Sequence, residues 1–206
     1  MIKQICIMTK SLKDRDYCVA GIDLQSGAWV RLVSSNEGGA FQKELLDDIN
    51  VNVLDVIEVE LKRYTPYEIQ VENWIIDETK QILKTGTKTL QEIISLRGIN
   101  KSQFIFVNNK NELTKDDVNK LKHSIEMVEV QDLSFDTCLK GDGRNHYKIS
   151  FTYKKEKYHL ALTDPKFRIA NLDSWNMPKA IIIVSIPPVP YGENELYYKF
   201  VAKVFF

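Results

Sequence analysis

The sequence predicts a mainly β protein with a few helices (a β or α+β class), built as two small β-barrels or sandwiches joined by a short helical segment. Three observations carry this. Both ends of the chain read as runs in which apolar and polar residues alternate. The middle carries apolar residues at helical spacing instead. No regular alternation of strands with long helices points to a parallel α/β sheet.

The elements follow in order. "KQICIM" opens as a short apolar run. In "YCVAGIDL", Cys18, Ala20, Ile22 and Leu24 share one face, with Tyr17, Val19 and Asp23 on the other. "QSG" supplies a turn, and "AWVRLVS" alternates back with Val30 and Leu32 opposite Trp29, Arg31 and Val33. "SNEGGAF" is a loop marked by Gly38-Gly39. "DVIEVELKRY" is a clear strand, and "YEIQVENWII" is a further extended stretch ending near Asn73-Trp74.

"TKTLQEIISLRG" then places Leu90, Ile93 and Ile94 at helical spacing, with Gly98 as the stop. "FIFV" reads as a short buried strand. In "NELTKDDVNKLKHSI", Thr114 followed by Asp116 and Asp117 suits a helix start, with Val118, Leu121 and Ile125 facing the core. The last third is β again. In "HYKISFTYKKEKYHLALTD", Tyr147, Ile149, Phe151 and Tyr153 alternate, "KKEK" turns, and Tyr158, Leu160 and Leu162 alternate back. "AIIIVSI" and "LYYKFVAKVFF" close the chain as strands. The expected division is 1–75 for the first barrel, 76–125 for the connecting segment and 126–206 for the second barrel, with the C-terminal strand free to pair across domains.

A chain of 206 residues is long enough for a substantial core. Lys plus Arg and Asp plus Glu both total 28, so bulk charge does not indicate a strongly basic nucleic-acid binder. The distribution is less even. Residues 44–60 hold six acids and no Lys or Arg, while residues 138–168 hold eight Lys or Arg against three acids. Solvated faces explain such runs, and so does steering of an anionic partner. The three cysteines, Cys6, Cys18 and Cys138, match no zinc spacing and form no disulfide framework. A reducing cytoplasm is the expected location. The N-terminus does not read as a signal peptide, and no apolar run approaches the ~20 residues that span a bilayer.

The candidate binding residues are Lys10, Arg15, Tyr17, Trp29 and Arg31 on the first hairpin, and Asp164, Lys166 and Arg168 near the second. On a five-stranded Greek-key barrel of the OB type, strands 2 and 3 and two loops bind oligonucleotides. Aromatics there stack on bases while Lys and Arg hold phosphates. The alternative is that Trp29 packs against the second barrel and Arg31 pairs with an acid from 44–60. Trp74 is either a second platform or a barrel plug. His146 and His159 approach each other if they share a face of their hairpin, but no HxH, HExxH or DxD spacing is present. Gly141-Asp142-Gly143 lacks the context of a phosphate loop. No nucleophile pair stands out, and no catalytic residue, metal or cofactor is expected.

"KSLKDRDYCVAG" with "GAWVRLVS", then "YEIQVENW", "YHLALTDP" and "YYKFVAKVF", resembles the bacterial dual OB domain family of uncharacterised proteins, over nearly the whole chain. The resemblance implies two OB-like barrels. It also implies that Lys10, Ser11, Arg15, Trp29, Arg31, Asn73, Trp74, Asp164 and Lys199 occupy motif positions. The chain departs from the pattern at "SIPPVP", where a glycine-containing turn is expected. The first expectation for function is a binding module for single-stranded DNA or RNA, or a nucleotide-like anion. It would use the hairpin residues and the basic hairpin 146–168. The second is an adaptor for another protein. The third is an enzyme, or a site for a small anion or a metal, in which Lys10, Arg15, Arg31, His159 and Asp164 converge between the barrels. A membrane partner is not expected.

Overall fold

The computed structural model describes residues 1–13, 16–34, 40–139, 145–169 and 176–206. Arg15, Gly38-Gly39 and the 141–144 glycine loop lie outside the described residues, as do the side chains of His146, Cys138 and Arg168. The chain forms two compact units, Met1–Tyr67 with Val71–Gly98, and Glu68–Gln70 with Ile99–Phe206.

The first unit contains β1 (Ile2–Lys13), β2 (Asp16–Asp23), β3 (Trp29–Val33), α1 (Glu44–Asp47), β4 (Asp55–Tyr64), β5 (Asn73–Ile76), β6 (Leu83–Thr87) and α2 (Leu90–Arg97). Strands run in the order β1-β2-β3-β5-β4, and β4 pairs back onto β1, which closes a barrel. β6 adds to the start of β4. The interior is filled by Ile5, Ile7, Val19, Val30, Leu32, Ile57, Val59 and Leu61, with Phe41 and Leu46 packed among them. At Gly21 a Cβ would fall 2.4 Å from the carbonyl oxygen of Cys6, so only glycine lets β1 and β2 approach this closely.

The second unit contains β7 (Glu112–Leu113), α3 (Lys115–Val118), β8 (Ile125–Leu139), β9 (Asn145–Tyr153), β10 (Glu156–Leu162), α4 (Lys166–Ile169), β11 (Asn176–Ser185), β12 (Tyr197–Tyr198) and β13 (Phe200–Phe205). Its barrel closes in the order β8-β9-β10-β13-β11. Numbered within each barrel, both read 1-2-3-5-4. In both, strands 3 and 5 are parallel (β3 with β5, β10 with β13) while the other pairings are antiparallel. Both place a four-residue helix between strands 3 and 4. The chain is therefore two OB-like barrels, a structural repeat whose sequence trace has disappeared.

Local sequence explains most elements. Thr89 and Glu92 form a reciprocal capping box that starts α2, and Gly98, at φ 80°, stops it. Tyr153 pairs with Glu156, so Lys154-Lys155 alone turn the second hairpin. The C-terminal strand pairs with β10 and β11 of its own unit.

Three expectations change. The helix beginning at Thr114 stops at Val118, and Ile125 enters β8, because it pairs with Ser185 of β11. "FIFV" is not a strand: the N–H of Ile105 donates to the Tyr158 hydroxyl, and that of Phe106 to the buried Glu126 carboxylate. "LYYKFVAKVFF" breaks at Lys199, so Tyr197-Tyr198 pair with β7 while Phe200 onward joins the barrel.

Candidate functional site

Period-two alternation decides the fate of the first hairpin. Lys10 pairs with Val19, which pairs with Leu32, and Tyr17 stands two residues from Val19 on the core side. Arg31 pairs with Ala20 on the opposite side. The structure thus separates Lys10 and Tyr17 from Trp29 and Arg31. Lys10 Nζ lies 2.7 Å from Asp47 Oδ1 and 4.6 Å from the Tyr17 ring centroid. The Tyr17 hydroxyl is 3.1 Å from both Asp47 oxygens. These contacts fasten α1 to the barrel. Burial raises the Asp47 carboxyl, but the bonds from Lys10 and Tyr17 outweigh it and hold the group below its ordinary value.

Trp29 is 8% exposed and Arg31 7%. Arg31 Nη2 lies 3.5 Å from Glu72 Oε1, and Asn73 is its strand partner. The Trp74 ring is half-buried, 5.0 Å from that of Tyr64. Both faces of β2–β3 are therefore largely buried, and neither Trp29 nor Arg31 stands on an open surface.

In the second unit, Asp164 is buried. It accepts from Lys203 Nζ at 2.8 Å and from the N–H groups of Lys166 and Val204, which closes the turn into α4. Lys166 is exposed, with its ammonium over the Phe206 ring. Neither belongs to the open groove of this unit.

That groove encloses about 700 Å³ over the outer face of β9–β10. The floor follows directly from alternation. Ile149, Phe151, Tyr158 and Leu160 point into the barrel, which leaves Ser150, Thr152, Lys157 and His159 outward. Cross-strand pairing sets Ser150 opposite His159 and Thr152 opposite Lys157. Ser150 Oγ lies 2.8 Å from His159 Nδ1. Asp136 Oδ2 approaches the same ring nitrogen at 3.8 Å. A hydrolytic triad needs its acid on the other nitrogen, so this trio is a hydrogen-bonding cluster and not a proton relay.

The wall is the loop Asn109–Glu112. Asn111 Oδ1 accepts the N–H of His159, and Asn109 Nδ2 donates to Glu156 Oε2 at 2.8 Å, so the loop is stitched to the hairpin beneath it. From below, Lys199 donates to the carbonyl oxygen of Asn108 at 2.8 Å and to its Oδ1 at 2.9 Å. Burial pushes the Lys199 ammonium down to about 8, although Glu126, Asp117 and Glu112 pull the other way.

Aromatics adjoin the groove on the loop between β11 and β13. Tyr198 pairs with Glu112 of the wall and is 39% exposed. Tyr191, 53% exposed, lies edge-on to Tyr198 and to Phe200, each at 6.4 Å. Phe200 is the β13 partner of Ala161, next outward residue after His159. A tight hairpin with Gly192 at φ 70° holds Tyr191, whose N–H donates to Leu196.

The site therefore offers exposed cations at Lys110 and Lys157, carboxylates at Asp132 and Glu112, amide and hydroxyl side chains, and an imidazole. Of these, the hairpin's basic character and His159 were readable in the sequence. The wall and the tyrosine loop were not, because their placement depends on the β7–β12 pairing and on Lys199. No group of three His, Cys, Asp or Glu among the described residues is placed to hold a metal ion. No helix among them is long and apolar enough to cross a membrane.

Residues 3–204 match the family model described as "Dual OB-containing domain". No curated protein matches the sequence. Among solved structures, the chain is similar to the Ifi202 HINa domain in complex with 20bp dsDNA. The two are 9% identical with a TM-score of 0.40, over 100% of this chain and 96% of that one. It is also similar to a murine DNA binding protein bound with ds DNA, 6% identical with a TM-score of 0.36, over 100% and 97% of the two chains. Both likenesses are distant, and nothing about this chain's ligand rests on them.

Proposed function

Because this chain belongs to the dual OB-containing domain family, we propose that it is a binding module whose second barrel takes a single strand of nucleic acid across the outer face of β9–β10. One observation carries this reading. The strand 2–3 face, which OB barrels use for oligonucleotides, is open and polar in the second barrel, whereas its counterpart in the first is buried. Lys110 and Lys157 supply phosphate contacts. Ser150, Thr152, Asn111 and His159 supply hydrogen bonds, and Tyr198 and Tyr191 supply stacking surfaces. In the first barrel, a ligand reaching Lys10 or Tyr17 would have to displace Asp47. The same chemistry holds a nucleotide-like anion, so competition by mononucleotides separates that ligand from a strand.

Fluorescence anisotropy with a labelled strand of about 20 nucleotides covers one OB site with margin. Affinity is expected to fall with salt. Lys110→Ala and Lys157→Ala are each expected to reduce the log–log salt slope by about 0.7. Absence of binding at low salt would overturn the reading, as would binding whose slope neither variant changes.

A further inference from the structure

We propose that Lys199 is the positioning residue of this groove: its buried ammonium holds the Asn108–Glu112 wall in the geometry that a ligand meets. The inference rests on the reading of the groove as a ligand site. Lys199 is 1% exposed. Its Nζ grips the backbone and side-chain oxygens of Asn108, and its own N–H donates to the carbonyl of Asn111 at 2.9 Å. One residue therefore ties the wall at Asn108 and again at Asn111. Asn108 passes the constraint on: its Oδ1 accepts the Lys110 N–H at 3.0 Å, and its Nδ2 donates to the Glu112 carbonyl at 3.3 Å. Lys110, a groove cation, and Glu112, partner of Tyr198, are both set by this hub.

An ammonium is a costly way to hold a loop, since burying it forfeits hydration. A neutral apolar side chain of that length would fill the space without penalty. What it could not do is donate to two oxygens at once. The groups that face Lys199 are Glu126 from β8, Asp117 from α3, Glu112 from β7 and the Tyr158 ring from β10, 5.4 Å away. The carboxylates only partly offset the loss of water.

Hydrogen exchange at about pH 7 reads the wall directly. In the full chain, protection of the Lys110, Asn111 and Glu112 amides is expected to drop in Lys199→Met. Strand affinity should fall about tenfold, the worth of one hydrogen bond to a charged group. Should Lys199→Met not fold, Asn108→Ala keeps the lysine and removes one acceptor, with the same loss of wall protection expected. Wall protection that is unchanged in the folded variant overturns the inference even if the strand binds. Wild type that binds no strand, with wall protection lost in the variant, removes the ligand reading and leaves the role of Lys199 in the wall standing.

Discussion

Lys10 and Arg31 stand on opposite faces of the first barrel's sheet, because Lys10 is in register with Val19 and Arg31 with Ala20. Arg31 is buried against Glu72, so truncating it removes one charge of a buried pair together with its packed stem. Arg31→Ala is expected to cost about 1–3 kcal/mol of stability. Strand affinity, measured where the variant is still folded, is expected to stay within about twofold of wild type, since the groove is in the other unit. Urea melts and anisotropy on the same samples check this. Lost affinity at unchanged stability would make Arg31 a ligand contact instead.

Tyr198 pairs with Glu112 of the groove wall and Tyr191 lies edge-on to it, and both rings are exposed. Replacing either with alanine removes a stacking surface and little packing. Each is expected to weaken strand binding by about 1–3 kcal/mol and to change stability by no more than about 0.5 kcal/mol. Titrations and thermal melts of the two variants test this. Unchanged affinity in both would restrict the strand to the β9–β10 floor.

Alternation made the strands readable wherever it faced one core, as in Tyr147–Tyr153 and Tyr158–Leu162. It could not tell which face of the first hairpin was the interior, since Ala20, Ile22, Trp29 and Arg31 are buried on the side opposite Val19 and Leu32. Residues of like chemistry therefore read as one surface although the pleat parts them. The groove wall left no local signal. Asn108–Asn111 reads as a loop, and its partner Lys199 lies 91 residues away.

Cys6 shows what a fully buried thiol should do. It is wholly enclosed, its sulfur lies 3.6 Å from the Leu54 carbonyl, and burial, with Asp55 adding to it, pushes its thiol up to about 12. Without thiolate it is a poor nucleophile at neutral pH. Peptide mapping after brief treatment with a thiol reagent at pH 8 is expected to find Cys6 unlabelled in native protein and labelled in urea. Native labelling of Cys6 would mean that β1 opens readily.

Gly21 makes a steric prediction on the same strand pair. An added methyl would meet the Cys6 carbonyl at 2.4 Å, fixed by the β1–β2 ladder, and the buried Ile5 Cγ2 at 2.5 Å. Gly21→Ala is expected to destabilise by about 1–3 kcal/mol or more, read as a lower urea midpoint at unchanged m-value. A neutral result would show that the ladder slides to make room.

Asp55 ties the start of β4 to β6. Burial raises its carboxyl, yet Lys84 at 2.7 Å, the Asn52 N–H at 2.8 Å and the Thr87 hydroxyl at 3.0 Å more than reverse this and leave it below the ordinary carboxylate value. A carboxyl depressed in the folded state contributes stability that is in place above about pH 4 and is lost as pH falls through the folded value. Asp23 is held the same way: burial raises it, and bonds from Lys3, Ser26 and Gln25 win. Thermal melts of wild type and Asp55→Asn are therefore expected to differ most at pH 7 and to converge as the wild-type carboxylate protonates below pH 4. A gap that stays constant down to about pH 2 would mean that shape, and not charge, is what Asp55 contributes.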